Sequence, residues 1–316
     1  MKVIGIDEIR DVLPTLDPLA AMEGAFAAYS AGQAVVPPVG EMIFENPPGD
    51  VHIKYGYLKS DDYYVIKIAS GFYDNPGLGL PSSNGLMLLF SRKTGEGLAV
   101  LLDEGHLTDV RTAAAGAVAA RYLAPRPVER IGIIGSGIQA RLQLRYLSEW
   151  TGCRDVVAWG RTAENVVRYR DEMEAEGFSV EVVPSTGDLA SKCKVIVTTT
   201  SATGPLLGSV RRGTHVTAVG SDSPGKQELD PSILAGADLV VADSISQCLE
   251  RGEISHAIRA GVIGEDDLVE LGRIIAGGHP GRTSPEQTTV ADLTGVAVQD
   301  IAITRAVYEA ICSREA

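Results

Sequence analysis

Cysteine is scarce: four in 316 residues (Cys153, Cys193, Cys248 and Cys312), scattered and with no C-x-x-C pair. That argues against a disulfide framework and a structural zinc site, and the expected setting is a reducing cytoplasm. Basic charge is also short. Lys and Arg number 28 against 41 Asp and Glu, a net charge of −13. This balance argues against nucleic acid and anionic membrane surfaces as general partners. No apolar run reaches the roughly 18 residues a membrane-spanning helix needs. The opening MKVIGIDEIRDVLPTL carries charges throughout and lacks the apolar core of a signal peptide. Internal repeats, low-complexity stretches, His/Cys groups at metal-ligand spacing and a G-x-S-x-G elbow are all missing. No metal is expected.

What is present is an ordinary globular mixture, 45% hydrophobic and 22% charged, in a chain longer than one compact core usually supports. Two domains are expected. Asp17-Pro18 pairs a capping acceptor with a proline at the first helical position, predicting a helix over 17–31. Val51, Ile53 and Tyr55 alternate with His52 and Lys54, and further strands are expected at 64–68, 86–90 and 98–103. Residues 75–81 read as a turn-rich loop. This first part is an α+β arrangement with a mostly antiparallel sheet. Thr108 is expected to cap an alanine-rich helix ending near Leu123. From Glu129 strands alternate with helices, at 130–134, 155–159, 179–183, 194–199, 215–219 and 238–242. That alternation predicts an α/β fold with a doubly wound parallel sheet. After Gln247 the pattern is helical to Ile275 with a break near Gly261–Gly264, then a short strand over 289–292 and a last helix over 296–312.

Between the first of these strands and its helix lies Gly135-Ser-Gly-Ile-Gln-Ala140, a G-x-G-x-x-A turn. Gly135 permits the tight turn, Gly137 lets a pyrophosphate approach the backbone, and Ala140 allows close helix–strand packing. Gly135, Ser136, Gly137, Ile138 and Gln139 are therefore candidate cofactor contacts. The second strand ends in Trp159-Gly-Arg-Thr162, with no acid for a ribose 2′-hydroxyl. Arg161 and Thr162 suit a 2′-phosphate, so NADP(H) is favoured over NAD(H), unless Arg161 only stacks on the adenine.

Three further residues stand out. Lys67, inside Val-Ile-Lys-Ile, needs a partner if its ammonium is buried, unless it snorkels from a strand end. Arg111, in the first turn of a helix, opposes the helix dipole. An anionic ligand explains it, or an ion pair with Asp109 or Glu104. Asp222 follows the 215–219 strand, at the carboxyl edge where open α/β sheets place ligands, or it is a turn residue ahead of Pro224. His215 reads as a core histidine, His106 as a loop residue, and the 113–120 alanine face as tight packing.

Several stretches together resemble the ornithine cyclodeaminase/μ-crystallin family, which includes archaeal-type alanine dehydrogenases and ketimine reductases. They are IKIASGFYDNPGLGLPSSNGLMLLFSRKTGE, LTDVRTAAAGAVAARYLA, IGIIGSGIQAR, AVGSDSPGKQELD and DLTGVAVQD. The resemblance implies a Rossmann dinucleotide-binding domain over 126–295 beside an α+β substrate and dimerisation domain over 1–125 with 296–316, the last helix packing back onto the first domain, in a homodimer. It implies that Lys67 and Arg111 hold a substrate carboxylate beside the nicotinamide and that Asp222 handles the proton, making these three the candidate catalytic set. Thr112, Thr199, Ser201 and Gly220 fall where members touch the cofactor. Members often carry Arg or Lys after a Pro-Pro, as another carboxylate contact; here Val39 follows Pro37-Pro38. His52 and Lys54 are the expected substitutes. The implied activity is an NAD(P)-dependent oxidoreductase working on the C–N bond of a small amino or imino acid. A cyclodeaminase-type lyase that recycles its NAD and a non-catalytic crystallin-like binder are the alternatives.

Overall fold

In this computed structural model residues 1–72 and 74–315 are described; Tyr73, which falls in one of the motifs quoted above, and Ala316 lie outside the described residues. The chain packs as two compact units, Met1–Arg111 with Val296–Ala316, and Thr112–Gly295. The dividing point falls inside a helix, whereas the expected one stood just past that helix's end.

In the first unit β1 (Lys2–Ile4), α1 (Ile6–Val12) and α2 (Pro18–Ser30) precede six further strands. These are β2 (Ala34–Val35), β3 (Gly40–Glu45), β4 (Pro48–Leu58), β5 (Tyr63–Phe72), β6 (Ser83–Ser91) and β7 (Gly97–Leu101). Asp17 caps α2, its carboxylate accepting the Ala20 N–H at 3.0 Å, while Pro18 fills a position that needs no N–H. The sheet runs β1-β7-β6-β5-β4-β2 with β3 added to β4. Only the β1–β7 pair is parallel. Alternation along the strands gives two faces. Val65, Met87, Leu89, Ala99 and Leu101 are buried on one, and the C-terminal helix, Ala297–Glu315, packs against β4 and β5 there and against α2. Ile53, Ile66, Ile68, Leu86 and Leu88 stand on the other face, half-buried. The sequence does not signal β1, α1 or β3, each too short or too exposed to show a hydrophobic period.

The helix at the division is α3 (His106–Leu123). It starts before the expected Thr108 cap, because the buried Asp103 carboxylate accepts the Leu107 N–H at 2.9 Å. His106 is thus a first-turn helical residue and not a loop residue.

The second unit holds β8 (Ile131–Ile134), α4 (Ile138–Thr151), β9 (Asp155–Trp159), α5 (Ala163–Ala175), β10 (Ser179–Val182), α6 (Thr186–Lys192) and β11 (Val195–Thr198). It continues with β12 (Thr203–Leu207), β13 (His215–Ala218), β14 (Gln227–Leu229), α7 (Pro231–Ala235), β15 (Leu239–Ala242), α8 (Ile245–Cys248) and α9 (Gly252–Arg259). β16 (Leu268–Glu270), α10 (Leu271–Ile275) and β17 (Thr289–Asp292) close it. Eight strands form one all-parallel sheet in the order β10-β9-β8-β11-β13-β17-β15-β16. All six strands expected from the alternation are present. β16 interrupts the expected helical stretch, because Leu268–Glu270 pairs with β15, a long-range contact no local pattern encodes. β12 and β14 form a separate two-stranded parallel sheet, also unsignalled. His215 is the core histidine expected: fully buried, with its ring nitrogens 2.9 Å from the Thr289 hydroxyl and 2.8 Å from that of Thr217. Burial pushes its pKa down to about 3, so it is neutral. Among the described residues no helix is long and apolar enough to cross a membrane.

Candidate active site

The glycine turn leaves β8 and enters α4. Gly135 has φ of 126°, a left-handed conformation that disfavours any side chain. A Cβ there would collide with Thr199. Its N–H is donated to the Trp159 carbonyl at 2.9 Å, and Thr199 donates its N–H to the Ile134 carbonyl at 2.9 Å. These bonds draw the ends of β8, β9 and β11 together. Ala140 is fully buried in the first turn of α4, as close packing requires. Arg141 donates to the carbonyls of Ser136 and Gly137, at 2.6 and 2.9 Å, and so braces the turn from its helix side. Gln139 lies in the same turn, half-buried, and Ile138 is 55% exposed.

A cavity of about 250 Å³ opens at this edge, lined by Gly135, Gly137, Arg161, Thr162, Thr199 and Ser201 among others. Backbone N–H groups at a helix N-terminus, glycines without side chains and a hydroxyl-rich wall fit a dinucleotide pyrophosphate. Arg161 and Ser201 are exposed, and Asn165 joins the lining. Thr112 lies near the start of α3, where its carbonyl accepts from the Gln143 amide at 3.1 Å.

Beyond β13 the chain passes Gly220 and Ser221 to Asp222. Asp222 is partly exposed, and its Oδ1 accepts from Lys226 Nζ at 2.8 Å and from the Ser223 hydroxyl at 3.2 Å. The Gly220 N–H is donated to Glu228 at 2.9 Å. Neither Lys226 nor Glu228 was singled out from the sequence, although both lie in the AVGSDSPGKQELD stretch.

The first unit contains a buried charge cluster. Lys67 on β5 is 3% exposed and does not snorkel. Its ammonium lies 3.7 Å from Asp300 of the C-terminal helix. Arg111 is equally buried; its Nε donates to the other Asp300 oxygen at 3.0 Å and its Nη1 to Gln299 at 2.8 Å. The anion opposite Arg111 is therefore Asp300, not the Asp109 or Glu104 considered above. Lys54 on β4 stands directly across from Lys67 and is also buried. His52, two residues earlier on the same face, sits across from Glu41 of β3, 3.8 Å away. Asp103 is the other buried acid nearby; burial raises its pKa, and Asp300 adds to the rise. Among the described residues no group of His, Cys, Asp and Glu has the arrangement of a metal site.

A parallel sheet with a glycine-rich turn opening onto a polar cavity at its carboxyl edge defines a dinucleotide-binding protein of the Rossmann class. The chain belongs to the ornithine cyclodeaminase/mu-crystallin family, whose model matches residues 5–315. It is 42% identical to an uncharacterized cyclodeaminase of Sinorhizobium fredii, over 100% of this chain and 97% of that protein. Among solved structures, an archaeal alanine dehydrogenase dimer with bound NAD is 36% identical with a TM-score of 0.92, covering 100% of this chain and 97% of that one. The Thermococcus litoralis Δ1-pyrroline-2-carboxylate reductase, in complex with NADH and L-proline, is 28% identical with a TM-score of 0.93, covering 100% and 98%.

Proposed function

We propose that this chain is an NAD(P)-dependent oxidoreductase of the C–N bond, reducing a small α-imino acid or oxidising the corresponding amino acid. The observation that carries this reading is the buried Lys67–Asp300–Arg111 cluster in a chain that also carries the dinucleotide turn. Two fixed cations on one carboxylate are suited to a second carboxylate, that of an amino or imino acid. The bound nicotinamide supplies or accepts the hydride. Lys67 and Arg111 bind and orient the substrate carboxylate, with Lys54 and His52 in place of the basic residue that Val39 replaces. Because Asp300 holds the cations in advance, orientation requires little rearrangement. Asp222 gives a proton to the substrate nitrogen or takes one from it. Gly135, Ser136, Gly137, Ile138 and Gln139 hold the pyrophosphate end, and Thr112, Thr199, Ser201 and Gly220 line the rest of the cofactor path. The 1–125/296–316 part binds substrate and forms a homodimer, and 126–295 binds the dinucleotide. The working compartment is the reducing cytoplasm.

The test is consumption of NADPH and NADH with cyclic ketimines, and with 2-oxo acids plus ammonia or alkylamines. Net consumption is expected. Its absence across the panel, with ornithine converted instead, would replace the oxidoreductase by the lyase. Asp222→Asn keeps the side chain's size but cannot accept a proton. Its kcat should fall by about 10²–10⁴ with cofactor affinity little changed; retention of more than about a tenth of kcat across the pH range would remove Asp222 from the chemistry. We further propose NADP(H) as the preferred cofactor, held by Arg161 and Thr162 in the absence of an acid. Arg161→Ala should weaken NADPH binding roughly tenfold and leave NADH binding unaltered. Equal dissociation constants for both cofactors in the wild type, by nicotinamide fluorescence, would sink this.

A further inference from the structure

Glu228 on β14 is fully buried, and the reading above gives it no task. Its two oxygens take three donors. Oε2 accepts the Thr198 hydroxyl at 2.6 Å and the Gly220 N–H at 2.9 Å, and Oε1 accepts the Thr200 N–H at 2.5 Å. Thr198 and Thr200 flank the exit of β11 into the loop lining the dinucleotide cavity. Gly220 lies at the exit of β13, two residues ahead of Asp222. A side chain at Gly220 would strike both the Thr200 carbonyl and the Glu228 carboxylate, so the two loops meet at this one group. Glu228 is itself braced from α9, where Glu253 accepts the N–H groups of Glu228 and Leu229 at 2.8 and 3.0 Å. Asp292 of β17 in turn accepts the Ile254 N–H at 2.8 Å.

We propose that Glu228 is a positioning residue that, as a carboxylate, ties the cofactor loop at 199–202 to the Asp222 loop. The inference rests on the roles given to those loops above. Two of its three donors are backbone N–H groups at strand ends, which leave the sheet without ladder partners and must be satisfied elsewhere. An ionised carboxylate accepts all three. A neutral carboxylic acid or an amide turns a donor toward one of them, and that loop is released. Burial raises the Glu228 pKa to about 7, against the pull of its Thr198 and Thr200 hydrogen bonds. Of the elements packed against β14, α9 carries Glu253, His256 and Arg259 and β12 carries no charged or titratable group, while Lys226 and Asp222 lie on its own segment. Glu253 is likewise pushed up to about 7, by burial first and by the charge of Glu228 among the smaller causes.

The experiment compares wild type, Glu228→Gln and Asp222→Asn, using NADH as the probe because it has no 2′-phosphate to titrate. Wild type should lose NADH affinity as pH falls through about 7. Glu228→Gln should bind NADH roughly tenfold more weakly at about pH 8.5 and turn over roughly tenfold more slowly, with both values flat down to about pH 6. Asp222→Asn should lose kcat alone. A merely structural Glu228 would lower the melting temperature of the Gln variant yet leave Kd, kcat and pH profile of the folded protein as in wild type; that result overturns the proposal. If the Gln variant does not fold, the wild-type titration decides, and an NADH Kd flat over that range overturns it as well. If Asp222→Asn keeps full kcat while Glu228→Gln loses NADH affinity, the tie stands and the role of Asp222 falls.

Discussion

At the residue scale the side chain that organises the buried Lys67–Arg111 cluster is Asp300. Lys67 and Arg111 were visible in the sequence because each is anomalous where it stands, a cation in an apolar strand and a cation against a helix dipole. Their shared counter-ion was not visible, since it lies 189 residues from Arg111 and an aspartate in a helix is unremarkable by itself. Asp300 is 1% exposed, and removing one member of a buried ion cluster leaves uncompensated charge. Asp300→Ala should therefore cost about 3–5 kcal/mol of stability in urea denaturation. It should also raise KM for the imino acid more than it lowers kcat, since the cations lose their spacing. Unchanged stability together with unchanged KM would show that Lys67 and Arg111 are held by other means.

Secondary-structure elements carry a different share of the information. The alternation around His52 and Lys54 marks a strand, but only the pairing register sets Lys54 opposite Lys67. Like charges directly across a sheet repel, and the Asp300 carboxylate beside Lys67 offsets that repulsion. The sheet's other face, with Ile66, Ile68, Leu86 and Leu88, is more apolar than a solvated antiparallel face usually is. A second copy of the chain is the expected cover. Light scattering at micromolar concentration should give twice the chain mass, and Ile68→Asp or Leu88→Asp should halve it. A wild-type mass of one chain would refute the dimer.

For the whole molecule, the buried acids of the second unit set an unusual pH dependence. Glu228 and Glu253 have folded pKa values of about 7, raised by burial, and that of Asp292 is raised too. An unfolded chain ionises these groups near 4–4.5. Between there and about pH 7 the folded state binds more protons than the unfolded one, so stability declines as pH rises through that window. His215 works oppositely. Its folded pKa, about 3, lies below the unfolded value, so its contribution is complete above about 6.5 and is lost as pH falls toward 3. Because three acids outweigh one histidine, the urea midpoint should be lower at about pH 8 than at about pH 5.5, by on the order of a few kcal/mol in unfolding free energy. Glu253→Gln should flatten that slope. An equal or higher midpoint at the alkaline end would mean that these carboxyls are ionised in the folded protein without cost.

The sequence by itself determined the parallel sheet, its dinucleotide turn and the two anomalous cations. Each is a local signal: strand–helix alternation, glycines at fixed spacing, a charge where the chain should be apolar. What surrounds those residues was decided only by the tertiary structure. Asp300 reaches Lys67 and Arg111, Glu228 joins two strand exits, and β16 pairs with β15 because folding brings distant segments together. A carboxylate's role in a buried site depends on its burial and its donors, and neither exists until the chain has folded.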